Sequence, residues 1–477
     1  MIGLKQRVPN GNGNEIPRRV HLIGAGGVHM SAIGQILIAR GHVISGSDLA
    51  ASDYTRRLEA LGATIFIGHA AAQVGDAGLV VATAAARATN PELAAAHERA
   101  IPVMLRAEMV QRLIADREVL AIAGTHGKTT TTAMVALMAL RAQLDPLVLL
   151  GGDSRDLGGN VLAGAGRHAI VEADEYAEAF LQYTPQIALI TNVEADHLDY
   201  YQNEERLFDA FRAFARAVVP DGILIVCEDS PVAARIGYER RNADARVERY
   251  AIDANDVEWR AFRLRRNEHG GTTFEVSLEG ADLGRMVLGV PGRHNVANAL
   301  GALALAMRAG VDFHRAAQAA EQFTGADRRF DLIGEIATGA SPITLVDDYA
   351  HHPTEVRATI SAARQRYPNR RLVACFQPHT FSRSRYLLEQ FRTCFEGLDA
   401  LYLVHTYAAR EDADAGMDGR ALAAEIVQPA PVYIESFDEA AARIASDLRP
   451  GDVFFTLGAG DVTELGPMVA ARLEGRA

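Results

Sequence analysis

Short apolar runs recur along the chain, each closed by a glycine-rich or polar turn and followed by a stretch that fits an apolar-faced helix. The clearest run covers residues 119–123 (Val-Leu-Ala-Ile-Ala) and reads as a buried strand, with a helix expected over 130–140. Runs at 20–23, 42–45, 64–67 and 79–82 alternate with helices at 28–40 and 54–61, and this rhythm continues to about Glu108. A second unit has strands at 119–123, 147–151, 169–171, 187–191 and 222–226. From 247 to 288 the texture changes to short alternating runs between Gly turns, which predicts an antiparallel β insertion, and an alanine-rich helix follows to about Ala309. A polar hinge at 324–331 leads to a third unit, with strands at 343–346, 371–376 and 454–457 and a helix at 354–367. The pattern predicts an α/β fold of three domains. Their expected bounds are a flexible tail at 1–17, then 18–110, 111–324 and 325–477.

Length agrees with several cores, since 477 residues exceed one ordinary domain. A net charge of −12 with no strongly basic segment speaks against nucleic acid or an anionic membrane as partner. No apolar run reaches the length of a membrane span and no signal peptide is evident, so a cytoplasmic location is expected. The three cysteines, Cys227, Cys375 and Cys394, are too widely spaced for a disulfide framework or a zinc site and read as small core residues.

Candidate chemistry gathers at strand ends, where open parallel sheets bind ligands. The turn Gly124-Thr125-His126-Gly127-Lys128-Thr129-Thr130 between strand and helix reads as a phosphate cradle. Glycines let backbone N–H groups approach phosphate oxygens, the helix N-terminus adds partial positive charge, and Lys128 adds a point cation. Only Lys5 and Lys128 are lysine among 48 basic residues, so a chain that otherwise uses arginine keeps a lysine in this turn. The turn looks exposed, so replacing Lys128 is expected to leave the fold intact. Glu172-Ala173-Asp174-Glu175 and Thr191-Asn192-Val193-Glu194-Ala195-Asp196-His197 close two further strands, and would supply oxygen and imidazole ligands for Mg²⁺ and a triphosphate. The first unit opens with Gly24-Ala25-Gly26-Gly27 and an acid, Asp48, a little over about 20 residues on, as at a nucleotide diphosphate site; His29 stands at the third fingerprint position. Asn295 is equally a helix cap or a ligand.

These motifs, in order over about residues 20 to 465, resemble the Mur ligases. The resemblance implies a Rossmann-like N-terminal domain for a UDP-sugar, a central P-loop-type ATPase with a parallel sheet plus the β insertion, and a Rossmann-like C-terminal domain for an amino acid. The implied reaction joins the lactyl carboxylate of UDP-N-acetylmuramate to L-alanine with ATP and Mg²⁺, through an acyl phosphate, in peptidoglycan precursor synthesis. By resemblance Lys128 holds the β/γ-phosphates, Thr129, Glu172 and His197 hold Mg²⁺, and Asn192 supports the sugar end or the metal shell. His294 and Asn295 would lie near adenine, Arg328 near the phosphates and Asp347 near the ribose. Tyr349, His352, His379 and Arg383 would line the amino-acid side, and Gly26, Gly27, Ser47, Asp48, His69 and Arg106 would face the UDP moiety. A monomer or weak dimer is expected. The sequence departs from the family pattern at His29, at Tyr176-Ala177 after Glu175, at Thr380 in place of Arg, and at 412–417, which lacks a Pro-Gly turn. Other readings are a ligase adding a preformed murein peptide to the same sugar nucleotide, or an NAD-dependent oxidoreductase carrying a P-loop domain.

Overall fold

The computed structural model describes residues 15–83, 85–337, 341–409, 411 and 417–475. Most of the expected N-terminal tail and residues 412–416 lie outside them. Three sheets are present among the described residues. The first is wholly parallel, with β1 (Arg19–Ile23), β2 (Val43–Asp48), β3 (Thr64–Ile67), β4 (Leu79–Ala82) and β5 (Val103–Leu105) in the order β3-β2-β1-β4-β5.

The second sheet has ten strands. They are β6 (Glu118–Ala123), β7 (Leu147–Ser154), β8 (Gly159–Ala163), β9 (His168–Glu172), β10 (Ile187–Ile190), β11 (Ile223–Cys227), β12 (Val247–Ala251), β13 (Trp259–Arg266), β14 (Thr272–Leu278) and β15 (Ala281–Leu288). In the order β15-β14-β13-β12-β11-β10-β6-β9-β7-β8, the stretch from β12 to β7 is parallel. The predicted insertion is the antiparallel flank β13-β14-β15, with Phe274, Val276, Met286 and Leu288 buried on one face. At the other flank β8 returns antiparallel to β7; its Gly-Asn-Val-Leu-Ala run, opened by a glycine turn, gave little apolar signal.

The third sheet holds β16 (Asp331–Ile336), β17 (Ile343–Asp348), β18 (Leu372–Phe376), β19 (Ala400–Leu403), β20 (Val432–Tyr433) and β21 (Val453–Leu457), in the order β16-β17-β21-β18-β19-β20. Only β16 runs antiparallel. It was missed as a strand because it is a half-solvated edge, with Leu332 and Ile333 exposed.

Buried central strands read as continuous apolar runs because both faces are covered. One core is continuous from Val20 and Leu22 through Met109 and Leu113 to Val119, Leu147 and Phe211, so the first two sheets share packed side chains. The opposite face of the second sheet packs on the helix Lys128–Arg141 and on Arg293–Arg308. Lys128–Arg141 begins with four consecutive threonines after the lysine, poor intrinsic helix formers, and nine of its residues are buried. Tertiary packing outweighs propensity there. The third sheet carries separate cores on its two faces.

Candidate active site

The turn after β6 sets the site's geometry. Gly124 has φ +145° and Gly127 φ +80°; a Cβ at Gly124 would lie 1.9 Å from Thr191 Oγ1 and one at Gly127 2.5 Å from Asn298 Oδ1. Only glycine fits either place. The turn is pinned from β10's end. Asn192 Oδ1 accepts from His126 N at 2.8 Å and its Nδ2 donates to His126 O at 3.0 Å, while Thr191 Oγ1 donates to the same oxygen at 2.7 Å. Asn192 therefore fixes the backbone of the phosphate turn and also lines the cavity beside it.

Lys128 is largely enclosed rather than exposed, with 15% side-chain exposure. Its Nζ donates to Gly124 O at 2.6 Å and Thr125 O at 3.0 Å and pairs with Glu175 Oε2 at 2.9 Å. Burial pushes the Glu175 carboxyl up, against the pull of Lys128 and His197. Thr129 Oγ1 donates to Glu172 Oε1 at 3.0 Å, and Gly151 N to Glu172 Oε2 at 2.7 Å. Burial raises this carboxyl too. His197 Nε2 lies 3.6 Å from Glu175 Oε1, so Lys128, Glu175 and His197 form one contact chain beside the Thr129–Glu172 pair. The Thr129 hydroxyl and the Glu172 carboxylate are hard oxygen donors of the kind that fit Mg²⁺ with a triphosphate, whereas the His197 imidazole is a borderline donor. Tyr176, one of the departures from the family pattern, packs edge-on against His197, with ring centroids 5.2 Å apart.

A cavity of 300 Å³ continues from the turn toward the third sheet. His126, Thr130, His294 and Asn295 line it, as do Arg329 and Asp348. Here the expectation shifts by one residue. Arg328 and Asp347 instead pair with each other at 2.8 Å; Asp347 also accepts from Thr456 and Thr463 and is 2% exposed, while the Arg328 guanidinium bonds Gly458 O. Consecutive strand residues face opposite sides, so one step in register exchanges which acid meets the cleft. Burial pushes Asp348 up to about 6, with Arg329 opposing. Asn295 caps nothing: it lies within the first turn of Arg293–Arg308, whose N-cap is Gly292, and its Nδ2 donates to Pro291 O at 2.7 Å.

Histidines shift in the same way. His352 was placed on the amino-acid side, but it is 1% exposed and both ring nitrogens are engaged. Its Nδ1 accepts from Thr354 N at 3.2 Å, capping the helix Pro353–Arg366, and its Nε2 faces Ala195 O at 3.2 Å. His126, Glu194 and His352 lie within metal-ligand reach of one another, yet these bonds leave His352 no free lone pair. Its neighbour His351 packs between Tyr349 and His379, with centroids at 5.3 and 5.5 Å. Burial lowers His351 to about 3 and His379 to about 4, so both rings are neutral. Arg383 completes the group. Its Nη2 donates to Asp196 Oδ1 at 2.7 Å across the cleft and its Nη1 lies 2.8 Å from His379 Nδ1. Both members of the Arg383–Asp196 pair are under 10% exposed.

His126 also bridges the cleft. Its Nε2 lies 3.6 Å from Glu194 and its Nδ1 3.4 Å from Glu355, on the helix that His352 caps. Burial opposes its charge, but the two carboxylates outweigh this and raise it to about 9, while Glu194 falls to about 2. A raised histidine contributes fully below its ordinary value of 6.5 and loses that contribution as pH rises through about 9. The lowered Glu194 contributes above 4.5 and loses it as pH falls through about 2. The bridge is therefore strongest between pH 4.5 and 6.5. Melting temperatures at about pH 7 and pH 9.5 should differ by the equivalent of up to about 3 kcal/mol, and His126→Asn should remove most of that difference. An unchanged difference in the variant would assign the pH dependence elsewhere.

In the first unit Gly26 N donates to Asp48 Oδ2 at 2.8 Å, and Ser47 Oγ lies 3.0 Å from His69 Nδ1. These residues share a rim at the ends of β1, β2 and β3, beside Gly27, the N-cap of the helix Val28–Ala39. His29, the second departure, has a reason: its Nδ1 lies 2.8 Å from Arg106 Nη1, and Arg106 Nη2 donates to Asp174 at 3.3 Å. Burial, with Arg106 beside it, holds His29 at about 4, so it is neutral and can accept from the guanidinium. This chain links the first rim to the acidic run after β9. The three cysteines are buried, and burial pushes the Cys227 thiol up to about 11, so none is a nucleophile.

The chain matches three family descriptions: "Mur ligase family, catalytic domain" over residues 19–118, "Mur ligase middle domain" over 122–306 and "Mur ligase, glutamate ligase domain" over 328–460. It is 42% identical to the UDP-N-acetylmuramate–L-alanine ligase of Solidesulfovibrio magneticus over 94% of this chain and 97% of that protein. For the enzyme of the same name from Alkaliphilus metalliredigens the figures are 41%, 95% and 97%. The crystal structure of UDP-N-acetylmuramate-alanine ligase from Thermotoga maritima superposes with a TM-score of 0.80 at 28% identity, covering 96% of this chain and all of that one. A murein peptide ligase from Psychrobacter arcticus shares the fold at 24% identity and a TM-score of 0.70. With matches spanning all three sheets and relatives this similar along their whole length, the chain belongs to the Mur ligase family.

Proposed function

We propose that this protein couples L-alanine to the lactyl carboxylate of UDP-N-acetylmuramate at the expense of ATP, an early step in peptidoglycan precursor synthesis. The observation that carries the reading is the continuity of the cleft: the Lys128 turn, the Glu172–Glu175 carboxylates and His197 face the Asp196–Arg383 pair across two sheets. That arrangement supports an activating site next to an amino-acid site.

A carboxylate is a poor acyl donor, so the lactyl carboxylate first takes the γ-phosphoryl group of ATP, releasing ADP, and the alanine amine then displaces phosphate from the acyl phosphate to form the amide. Mg²⁺, held by Thr129, Glu172 and His197, would neutralise charge on the transferring phosphoryl group. Lys128 turns from Glu175 toward the phosphates, and the backbone N–H groups of 124–129 cradle them. Adenine lies in the cavity with His294 and Asn295, with Arg329 and Asp348 as its polar contacts from the third sheet. Gly26, Gly27, Asp48, His69 and Arg106 hold the UDP-sugar, while Ser47, expected there as well, is fully buried with its hydroxyl on Glu92. Arg383 exchanges Asp196 for the alanine carboxylate, which a guanidinium binds with two parallel bonds. Tyr349, His351 and His379 wall this side. Closing the cleft excludes water, which would otherwise hydrolyse the acyl phosphate.

Phosphate release with ATP and UDP-N-acetylmuramate tests the reading. L-alanine should support turnover, and L-Ala-γ-D-Glu-meso-diaminopimelate should not. Turnover with the peptide alone would replace the reading with the recycling reaction, and turnover with neither would end it.

A further inference from the structure

Beneath the rim of the first sheet lies a buried polar network that ends on His69, one of the residues placed at the UDP-sugar. Asn90 caps the helix Pro91–Glu98, its Oδ1 accepting from Glu92 N at 2.8 Å and Leu93 N at 3.3 Å. This carries the Glu92 side chain under the sheet, where it is fully buried. Glu92 Oε1 lies 3.3 Å from His21 Nε2 on β1, and Oε2 accepts from Ser47 Oγ at 2.7 Å and lies 2.9 Å from His69 Nδ1. Ser45 Oγ, 2.9 Å from His21 Nδ1, closes the other end.

The proton positions follow from counting. Burial works to raise the Glu92 carboxyl, but the bonds from His21 and Ser47 outweigh it and hold the group below its ordinary value. An ionised carboxylate only accepts, so each nitrogen facing it carries hydrogen. His69 is then protonated at Nδ1, and in its neutral form Nε2 is a bare lone pair. Among the described residues Nε2 has no hydrogen-bond partner, and the side chain is 19% exposed.

The rim's geometry says what that lone pair would meet. In a Rossmann-type sheet the diphosphate rests on the first glycine turn and the acid after the second strand takes the ribose, so the base extends toward the third strand. Gly26 and Asp48 occupy the first two places and touch at 2.8 Å; His69 follows β3 by two residues, and Gly68 N donates to Asp48 O at 2.7 Å. Uracil presents N3–H between two carbonyls, whereas cytosine N3 is an acceptor without hydrogen. We propose that Glu92 fixes His69 in the Nδ1–H tautomer so that Nε2 accepts from uracil N3–H, making the pair a selector of uridine over cytidine sugar nucleotides. The inference rests on the sugar-nucleotide reading of this rim. Glu92 is a positioning residue, and His69 is the contact.

Two measurements test it. Histidine ¹⁵N spectra of the whole protein should show His69, identified by its loss in His69→Gln, as the Nδ1–H tautomer; the Nε2–H tautomer would overturn the proposal. In the coupled assay, the wild type should favour UDP- over CDP-N-acetylmuramate by ~100-fold or more in kcat/KM. Glu92→Gln, whose amide can donate to Nδ1 and reverse the tautomer, should raise KM for the uridine substrate ~10-fold with kcat nearly kept, and shrink the preference. Should that buried change unfold the protein, His69→Gln at the half-open rim must shrink the preference instead. An unchanged preference in a folded variant overturns the inference. Normal wild-type turnover of UDP-N-acetylmuramate in the same assay separates that result from failure of the underlying reading.

Discussion

Lys128→Ala is expected to lower ATP-dependent phosphate release by ~10³-fold or more, because the other cation on this turn, His126, is held between Glu194 and Glu355 and does not replace it at the phosphates. It should also cost stability. Lys128 is the charge partner of Glu175, a carboxylate with 2% side-chain exposure, and it bonds two carbonyls of its own turn. Removing one member of a buried pair typically costs about 3–5 kcal/mol, since the remaining charge stays desolvated. An exposed turn would leave the fold intact on this replacement, but the Glu175 pair ties Lys128 to the stability of the turn. Adding Glu175→Gln to Lys128→Ala should recover much of the melting temperature and none of the activity. Thermal melts and single-turnover phosphate release read the two effects separately. Wild-type turnover in Lys128→Ala would remove the assigned role.

Arg383→Met should have the next largest effect, a rise of ~100-fold or more in KM for L-alanine, since the carboxylate loses its bidentate partner. The variant also strands Asp196, which is 8% exposed and which Arg383, first among its neighbours in overcoming burial, holds well below the usual carboxylate range. Because the pair joins the second and third sheets, part of the cost falls on docking the two units together. Pairing Arg383→Met with Asp196→Asn should restore stability and leave the alanine defect. An L-alanine KM within about threefold of wild type in Arg383→Met would place the acceptor carboxylate elsewhere.

Strand-and-turn grammar made much of this architecture legible. The runs at 119–123, 187–191 and 222–226 are central strands with both faces covered, so their signal was strong and nearly unbroken. Edge elements were harder. β8, β16 and β20 are short or half-solvated, and no apolar run distinguishes them from loops. At the site, the phosphate turn and the residues after β9 and β10 were legible because three polar strand ends fall on one parallel sheet, where ligands bind, and because a chain rich in arginine keeps a lysine in that turn. Single-residue assignments were less so. Arg328 against Arg329, Asp347 against Asp348, and His351 against His352 differ only in which face of a strand or turn they take, and adjacent like residues carry no periodicity. Glu92 gave no signal, since one acid in a short helix reads as solvent-facing until its histidine partners are placed beneath it.

The scarcity of lysine turns the phosphate turn into a built-in reporter. Only two side chains in the whole protein carry a primary amine, and one of them lies at 15% exposure against Glu175. A small acylating reagent applied with and without nucleotide would thus yield a readout of two lysine adduct sites on peptide mapping, apart from the chain's α-amine. Nucleotide protection at Lys128, measured against Lys5 as the internal reference, would record occupancy directly, with no engineered label and no coupled enzyme.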